Sequence, residues 1–267
     1  MLSHVGAVRS GNEDMVAYVL PRRDDPAQRR GALLLVADGM GGHAAGEVAS
    51  RIAADTIRAH YYEADGSVPE ALERCFALAN EAIYRQSLSD PDCAGMGTTC
   101  TAIAVQHGQA YLAHVGDSRA YIMRDGELHQ ISLDHTLVAE LVRQGSLTEQ
   151  EAAASPDRNV IVKALGTRPA VEPYCWTEGM ALRAGDRLIL CSDGLSDLVD
   201  AVAIKQIVGG GDPPEACQAL IDAALQAGGY DNISVGVFVI AEDAAEQPRQ
   251  ERPTRKVEAA PLADDAT

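Results

Sequence analysis

A series of short apolar segments separated by tight turns occupies the middle of the chain and limits the folds available to it. The dipeptides Gly108-Gln109 and Asp125-Gly126 contain residue types that β-hairpin turns favour. Hairpins join antiparallel neighbours, whereas parallel strands need long crossover connections. The pattern therefore predicts antiparallel strands over residues 98–106, 109–115, 119–124 and 127–132.

Amphipathic helical patterns lie on both sides of these hairpins. Apolar residues recur at helical spacing over 46–62 and 69–88, and Pro69 suits the first turn of the second helix. A further helix is predicted over 214–227. Helices that flank a series of hairpins do not suit a doubly wound parallel sheet, so we expect an α+β fold of antiparallel sheets covered by helices.

The remaining segments complete this organisation. Residues 134–154 have a helical pattern in which Thr148 and Glu151 are spaced as a capping box, and the polar stretch 134–158 is predicted to be a mobile flap. Residues 242–267 are rich in Ala, Pro and charges without periodicity, which predicts a disordered tail after one domain over 1–241. Further apolar runs predict strands at 31–37, 160–165, 173–178, 186–192 and 233–240.

Composition excludes several classes of function. The formal net charge of −17 repels nucleic acids and anionic membranes, so neither is an expected partner. No apolar stretch reaches the ~18 residues that a membrane span needs, and the first residues lack a signal-peptide core. The six cysteines show no C-x-x-C spacing, so we expect reduced, mostly buried thiols in a cytoplasmic protein rather than a zinc site.

Aspartates stand beside the ends of several apolar runs. Asp38, Asp117, Asp193 and Asp231 each have a glycine or another small or turn-forming residue nearby, and segment 12–14 (NED) adds more acid. Turn chemistry accounts for any one of them. A carboxylate at the mouth of a buried strand is costly unless something compensates it, and converging carboxylates would require hard cations. Oxygen ligands of this kind suit Mg²⁺ or Mn²⁺.

The glycine-rich segment 38–47 allows a different hypothesis, in which its backbone cradles a nucleotide phosphate. It lacks the lysine and the Ser or Thr of a P-loop, and its glycines are not spaced as G-x-G-x-x-G. Nucleotide binding is therefore the weaker interpretation.

Seven short motifs follow one another along the chain. They are RSGNED at 9–14, VADGMGGH at 36–43, GTT at 97–99, VGDSR at 115–119, ALG at 164–166, SDGLSD at 192–197 and DNIS at 231–234. In sequence and in order they resemble the PPM family of metal-dependent protein phosphatases, also called type 2C, over about residues 4–240. The stretch DGMGGH resembles the bacterial branch, whose members often oppose Ser/Thr kinases of the eukaryotic type.

The resemblance implies a central β-sandwich flanked by helices on both faces, with two Mg²⁺ or Mn²⁺ ions at one end. It implies that Asp38 bridges both ions, that the Gly39 carbonyl binds one of them, and that Asp193 and Asp231 bind the other. Arg9 would hold the substrate phosphate, for which its forked cationic group is suited.

The resemblance also implies supporting roles. Asp14 and Glu13 would hold metal-bound waters, Asn232 would orient the residues around it, and Asp117 with Asp197 would form a weaker third metal site. The implied reaction is hydrolysis of phosphoserine or phosphothreonine by direct attack of a metal-bridging hydroxide. Expected partners are phosphorylated proteins, including a Ser/Thr kinase.

Two questions stay open at the level of sequence. Met40 stands where some eukaryotic relatives have a histidine implicated as the general acid, so a metal-bound water or another group must protonate the leaving oxygen, with His43 as one candidate. The alternative function is a catalytically inactive member of the fold that only binds phosphoproteins. Every metal-binding position of the family pattern is filled, which favours an enzyme.

Overall fold

Two antiparallel sheets form the centre of the molecule in a computed structural model that describes residues 1–22, 29–41 and 44–242. The strands are β1 (Leu2–His4), β2 (Asp14–Val19), β3 (Ala32–Met40), β4 (Gly97–Thr98), β5 (Cys100–Gln106), β6 (Gln109–Val115), β7 (Arg119–Arg124), β8 (Glu127–Gln130), β9 (Tyr174–Cys175), β10 (Met180–Ala181), β11 (Arg187–Cys191) and β12 (Ile233–Val239). One sheet has the order β1-β12-β11-β7-β8 and the other β10-β6-β5-β3-β2, with β4 paired to β3 and β9 to β6.

Helices cover the outer faces of both sheets. In chain order the helices are α1 (Ala44–Tyr61), α2 (Val68–Ser89), α3 (Leu137–Arg143), α4 (Glu149–Ala154), α5 (Asp193–Ser196), α6 (Ala201–Val208) and α7 (Pro213–Gln226). Helices α1 and α2 cover one sheet, and α6 and α7 cover the other. Ser67 and Glu70 form a capping box at the start of α2, and Pro69 lies in its first turn, as predicted. The prediction of antiparallel sheets flanked by helices on both faces is confirmed.

Strand β3 shows why its sequence is apolar without alternation. Leu33 and Leu35 pack in a core with α1 and α2, whereas Leu34 and Val36 pack in the core between the sheets. A strand that is covered on both faces has no solvent side, so its positions 32–37, before Asp38, are all apolar. A third core joins the other sheet to α6 and α7.

Several predicted boundaries were wrong. The strand predicted at 31–37 continues through Met40, because Gly39 and Met40 pair with β4. Residues 160–165 form only isolated bridges, from Ile161 to Thr136 and from Leu165 to Thr98. The first hairpin turn is centred on His107 and Gly108, one residue earlier than predicted, and both residues have positive φ. Strand β2 and helix α6 were not predicted.

The predicted flap contains two short helices rather than one, separated at Gly145, whose φ is +72°. The capping box of Thr148 and Glu151 is confirmed at the start of α4. The base of the segment is buried: the His135 ring stacks on His114, and its Nδ1 accepts a hydrogen bond from the Gly116 N–H at 3.0 Å. The opening of this segment remains a prediction.

All six cysteines are free thiols, and all but half-buried Cys175 are buried, as expected. Across the ranges that the structure describes, no helix combines the length and apolar character needed to cross a bilayer. The tail predicted at 242–267 and the candidate acid His43 lie outside the described residues, apart from Glu242.

Buried Asn80 on α2 fixes the loop that follows the flap. Its Oδ1 accepts from the Gly166 N–H at 2.8 Å, and its amide donates to the carbonyls of Arg168 and Pro169. The same loop exchanges two backbone hydrogen bonds between Leu165 and Thr98, next to β3. A helix side chain therefore holds a loop against β4, which in turn pairs with β3, the strand that carries Asp38.

We expect Asn80→Ala to lower the free energy of unfolding by about 2–3 kcal/mol, because it leaves buried backbone groups without partners. Urea denaturation followed by circular dichroism measures this loss. Gln218→Ala on the exposed side of α7 is the control and should change stability by less than about 0.5 kcal/mol. Equal stability of the two variants would contradict the anchoring role of Asn80.

Candidate metal centre and active site

A cavity of about 630 Å³ opens at one end of the sandwich. The segment before β2, the end of β3, the start of α5 and the segment before β12 all contribute to its walls. Seven of the ten predicted site residues line it: Arg9, Glu13, Asp38, Gly39, Asp193, Asp231 and Asn232.

Strand pairing brings the first two carboxylates together. Asp14 and Asp38 are direct partners across the antiparallel pair β2–β3, and the Gly39 N–H donates to the Glu13 carbonyl at 3.1 Å. Directly opposed positions in an antiparallel pair place Cβ atoms about 5 Å apart. Two acids in this register would destabilise an ordinary sheet, so their placement indicates a site rather than a scaffold.

The other sheet contributes Asp193 and Asp231 next to the paired strands β11 and β12. Ser192 links the two sheets, because its hydroxyl donates to Asp14 Oδ2 at 2.7 Å while its backbone N–H donates to the Ser234 carbonyl. Asp38 and Asp193 are close enough to share a hydrogen bond between their carboxyl groups. The sandwich geometry thus gathers acids from both sheets.

The glycine after each of two aspartates allows close backbone packing. A Cβ on Gly39 would lie 2.1 Å from the Gly46 carbonyl oxygen, and one on Gly194 would lie 2.0 Å from the Asn232 carbonyl oxygen. Neither contact tolerates a side chain. Gly39 lies inside a strand and Gly194 inside a helical turn, so the turn interpretation of these two Asp-Gly pairs was wrong.

Burial and mutual repulsion raise the pKa values of the site carboxyl groups. Burial raises the pKa of Asp14, Asp38 and Asp193 above the usual range for aspartate, and the neighbouring carboxylates raise each of them further. Burial, together with the charges of Asp193 and Asp134, raises the pKa of Asp117 to about 8. Without cations, the site therefore resists carrying all of its negative charges at neutral pH.

Unpartnered oxygen atoms show what the site accommodates. Asp14, Asp117 and Asp193 each have a buried Oδ1 with no hydrogen-bond partner among the described residues. Buried carboxylate oxygens are costly to leave unpaired, and hard divalent cations are their natural partners. The donor set therefore fits Mg²⁺ or Mn²⁺.

The side chains alone do not enclose an ion. Within the described part of the chain, no three His, Cys, Asp or Glu side chains are arranged to hold one metal ion. Mg²⁺ usually binds through one or two carboxylates and keeps several waters. A site completed by the Gly39 carbonyl and by water is consistent with this arrangement.

Asp117 and Asp197 lie beside the main cavity and outside its lining. Asp117 is buried, whereas Asp197 is exposed and accepts a hydrogen bond from the Asn159 amide at 2.9 Å. The charge of Asp197 contributes to the raised pKa of Asp117, so the two carboxylates share one region. Asn159, the residue directly after the flap, was not predicted, because nothing in its sequence neighbourhood marks it.

Arg9 pairs with Asp231 at the cavity mouth. A guanidinium nitrogen donates to Asp231 Oδ2 at 2.6 Å, and both side chains are partly exposed. This hydrogen bond is the main cause that raises the pKa of Arg9. The guanidinium carries five N–H donors in a fork, so one bond to Asp231 is compatible with a second acceptor.

Polar residues beneath the acids hold the backbone in place. Thr99 Oγ1 accepts from the Asp38 N–H at 2.9 Å, and the same hydroxyl is 2.7 Å from Ser118 Oγ. Asn232 accepts from the Glu13 N–H and donates to the carbonyls of Val5 and Gly11. The supporting role of Asn232 agrees with this geometry, whereas Thr99 and Ser192 were quoted only as motif members.

A family model described as protein phosphatase 2C matches residues 19–209 of the chain. The phosphatase PstP of Mycobacterium tuberculosis is 44% identical over 239 residues, and the match covers 89% of this chain but only 44% of that protein. The phosphatase PhpP of Streptococcus pneumoniae is 35% identical over 251 residues, covering 92% of this chain and 98% of the relative.

Solved structures of PstP have the same fold. The crystal structure of the M. tuberculosis phosphatase PstP/Ppp matches with a TM-score of 0.80 and 41% identity, over 90% of this chain and 97% of that one. The PstP catalytic domain in complex with two manganese ions matches with a TM-score of 0.77 and 40% identity, over 90% and 96% of the two chains. The motif resemblance is confirmed, and the chain belongs to the protein phosphatase 2C family.

Proposed function

We propose that this chain is a metal-dependent phosphatase that hydrolyses phosphoserine and phosphothreonine in other proteins. The observation that carries the proposal is the cluster of raised-pKa carboxylates, with unpartnered buried oxygens, beside an arginine in an open cavity. The related PstP and PhpP are named as protein phosphatases, and the PstP catalytic domain binds two manganese ions in its crystal structure.

Four residues would hold two Mg²⁺ or Mn²⁺ ions. Asp38 is central because it adjoins Asp14 in register and Asp193 across the sheets. Gly39 would contribute its carbonyl, and Asp193 and Asp231, which also line the cavity, would complete the set. When bound, such ions supply Lewis-acid chemistry, lowering the pKa of water and offsetting the charge of a phosphoester.

The protein's own groups would orient the reaction. Arg9 would bind the phosphate oxygens at the mouth, with Asp231 aligning its guanidinium. The carboxylates of Glu13 and Asp14 would accept hydrogen bonds from water molecules and thereby orient them. The net reaction breaks the bond between phosphorus and the serine or threonine oxygen, which takes a proton from water as phosphate is formed.

Asp117 and Asp197 would form a weaker third metal site. They share one region beside Asp193, and Asn159, which directly follows the flap, hydrogen-bonds to Asp197. A site with fewer protein ligands and more water binds less tightly. This arrangement would couple the flap to the metal centre.

The substrates would be phosphorylated proteins of the cytoplasm, among them a Ser/Thr kinase. The acidic surface disfavours nucleic acids, and the cavity is open enough to admit a side chain that projects from a protein surface. The alternative, a binder without activity, has the same fold but requires an incomplete metal site. Here every predicted ligand of the main site lines the cavity.

The function is tested by hydrolysis of p-nitrophenyl phosphate and of a phosphothreonine peptide. We expect both activities to disappear in EDTA and to return with added Mn²⁺ or Mg²⁺, because the acids cannot bind an anionic substrate without cations. Full turnover after exhaustive chelation would contradict the metal mechanism. Phosphopeptide binding without turnover in Mn²⁺ would favour the inactive binder.

The raised carboxyl pKa values predict how stability depends on pH. In EDTA the folded protein keeps protons that the unfolded chain has already lost, so the free energy of unfolding should fall as pH rises from about 5 to about 8. Asp38→Asn removes one buried charge and should be more stable than the wild type at about pH 8 in EDTA. Its kcat in Mn²⁺ should fall on the order of 10²-fold or more.

Thermal denaturation across this pH range, with parallel kinetics, measures both effects. Asp222→Asn on the exposed face of α7 is the matched control and should change neither. An Asp38→Asn variant that is less stable than the wild type in EDTA at high pH would show that repulsion does not dominate this site.

We expect Arg9→Ala to raise KM about tenfold with a smaller effect on kcat, since the Arg9 guanidinium binds the phosphate group of the substrate in the ground state. Arg9→Lys keeps the positive charge but loses the two parallel N–H donors of the guanidinium, and its KM should be intermediate. Arg58→Ala, on α1, removes an ion-paired arginine of the same 54% exposure and should leave KM unchanged. A loss confined to kcat would contradict phosphate binding by Arg9.

A further inference from the structure

Two loops pack side by side at the mouth of the cavity. The Ala7 N–H donates to the Gly229 carbonyl at 2.7 Å, and two positions further along each loop Arg9 pairs with Asp231 at 2.6 Å. Gly6 lies so close that a Cβ there would meet the Asp231 carbonyl oxygen at 2.1 Å. Segments 6–9 and 228–231 are therefore held together at both ends.

Between these two contacts, each loop presents one large apolar side chain to solvent. Val8 is 68% exposed and Tyr230 is 59% exposed, and each directly precedes a member of the Arg9–Asp231 pair. Neither residue lines the cavity itself. Single exposed apolar residues are common on protein surfaces. What distinguishes Val8 and Tyr230 is their position at the rim of the cavity, next in sequence to Asp231 and to Arg9, the residue proposed to bind the phosphate.

The loop itself fixes the Tyr230 ring. A Cβ on Gly228 would lie 2.3 Å from a ring carbon of Tyr230, so the ring lies against the backbone of that glycine. The Tyr230 hydroxyl also donates to the Ala227 carbonyl at 3.2 Å. Because the ring is already ordered, covering its exposed part costs little side-chain entropy.

We propose that Val8 and Tyr230 form an apolar shelf that binds an aliphatic or aromatic side chain adjacent to the phosphorylated residue of a protein substrate. This inference rests on the proposed function, since it requires the phosphate to enter beside Arg9. A peptide whose phosphate reaches the cavity must pass the rim, so a flanking residue lies against the shelf. Val8 offers only carbon to such a residue, and the exposed part of the Tyr230 ring adds apolar area, so burial against the two favours an apolar flanking side chain.

The test uses phosphoserine peptides that differ only in the flanking residues, which are Leu, Ser or Lys, with p-nitrophenyl phosphate as the substrate that cannot reach the shelf. The wild type with Mn²⁺ should process the Leu peptide with kcat/KM about fivefold above that of the Ser peptide, through a lower KM. Val8→Ser and Tyr230→Ser should each reduce this ratio, and Tyr230→Phe should keep most of it. Val202→Ser, a 63% exposed position on α6, is the matched control and should keep the full ratio.

Two outcomes would overturn the shelf while the phosphatase function stands: a wild type that hydrolyses all substrates without preferring Leu, or one that prefers Lys. An equal loss on peptides and p-nitrophenyl phosphate in Tyr230→Ser would assign the loop to site support instead. If the wild type hydrolyses neither peptides nor p-nitrophenyl phosphate in Mn²⁺, the proposed function itself fails, and the shelf with it.

Discussion

Mutual repulsion among partly buried carboxylates is the constraint on which the rest of this structure depends. Asp14 and Asp38 oppose each other across β2 and β3, and Asp193 approaches from the second sheet. The charges of Asp14 and Asp193 both raise the pKa of Asp38, so the arrangement opposes folding unless cations or protons offset the charge. A sandwich whose sheets were held only by polar contacts could relax by separating at this end.

The surrounding structure prevents that separation. Leu34 and Val36 of β3 pack into the core between the sheets immediately before Asp38, so the strand cannot move without opening that core. The Ser192 hydroxyl bridges the sheets by bonding Asp14, and the Thr99 hydroxyl holds the Asp38 backbone. Apolar burial thus stabilises a geometry that electrostatics alone would disfavour, and polar contacts determine where the charged oxygens point.

The sequence revealed most of the fold because its signals were local. Helix α2 carries a capping box and a first-turn proline, and the middle hairpins carry turn residues with positive φ. Strand β2 was missed because it is an edge strand with partly exposed residues and has no clean alternation. The Asp-Gly pairs were taken for possible turns because a glycine next to an aspartate gives the same pattern whether it permits a turn or a close approach. Gly39 shows the second case, and only the position of the Gly46 carbonyl reveals it.

Site membership was likewise easier to predict than site contacts. The motifs named Arg9 and Asp231 separately, but their pairing joins residues 222 positions apart and appears only in three dimensions. Asn159 belongs to none of the sequence motifs, and its hydrogen bond to Asp197 depends on the path of the chain after the flap. Short patterns identify residues whose chemistry is distinctive, whereas long-range contacts between ordinary polar side chains leave no local signal.

These constraints explain why the acids lie on or beside strands and the proposed substrate-contacting residues lie on loops. Acids that must hold a fixed separation lie in or directly beside strands whose neighbours are fully buried, as Asp38 does at the end of an apolar strand. Groups that must meet varied substrates lie on surface loops, where Arg9 and Tyr230 are more than half exposed. A loop position can change without disturbing the core, whereas a change near Gly39 cannot. On this basis, related chains with the same carboxylate centre can differ in substrate preference through the loops at its mouth.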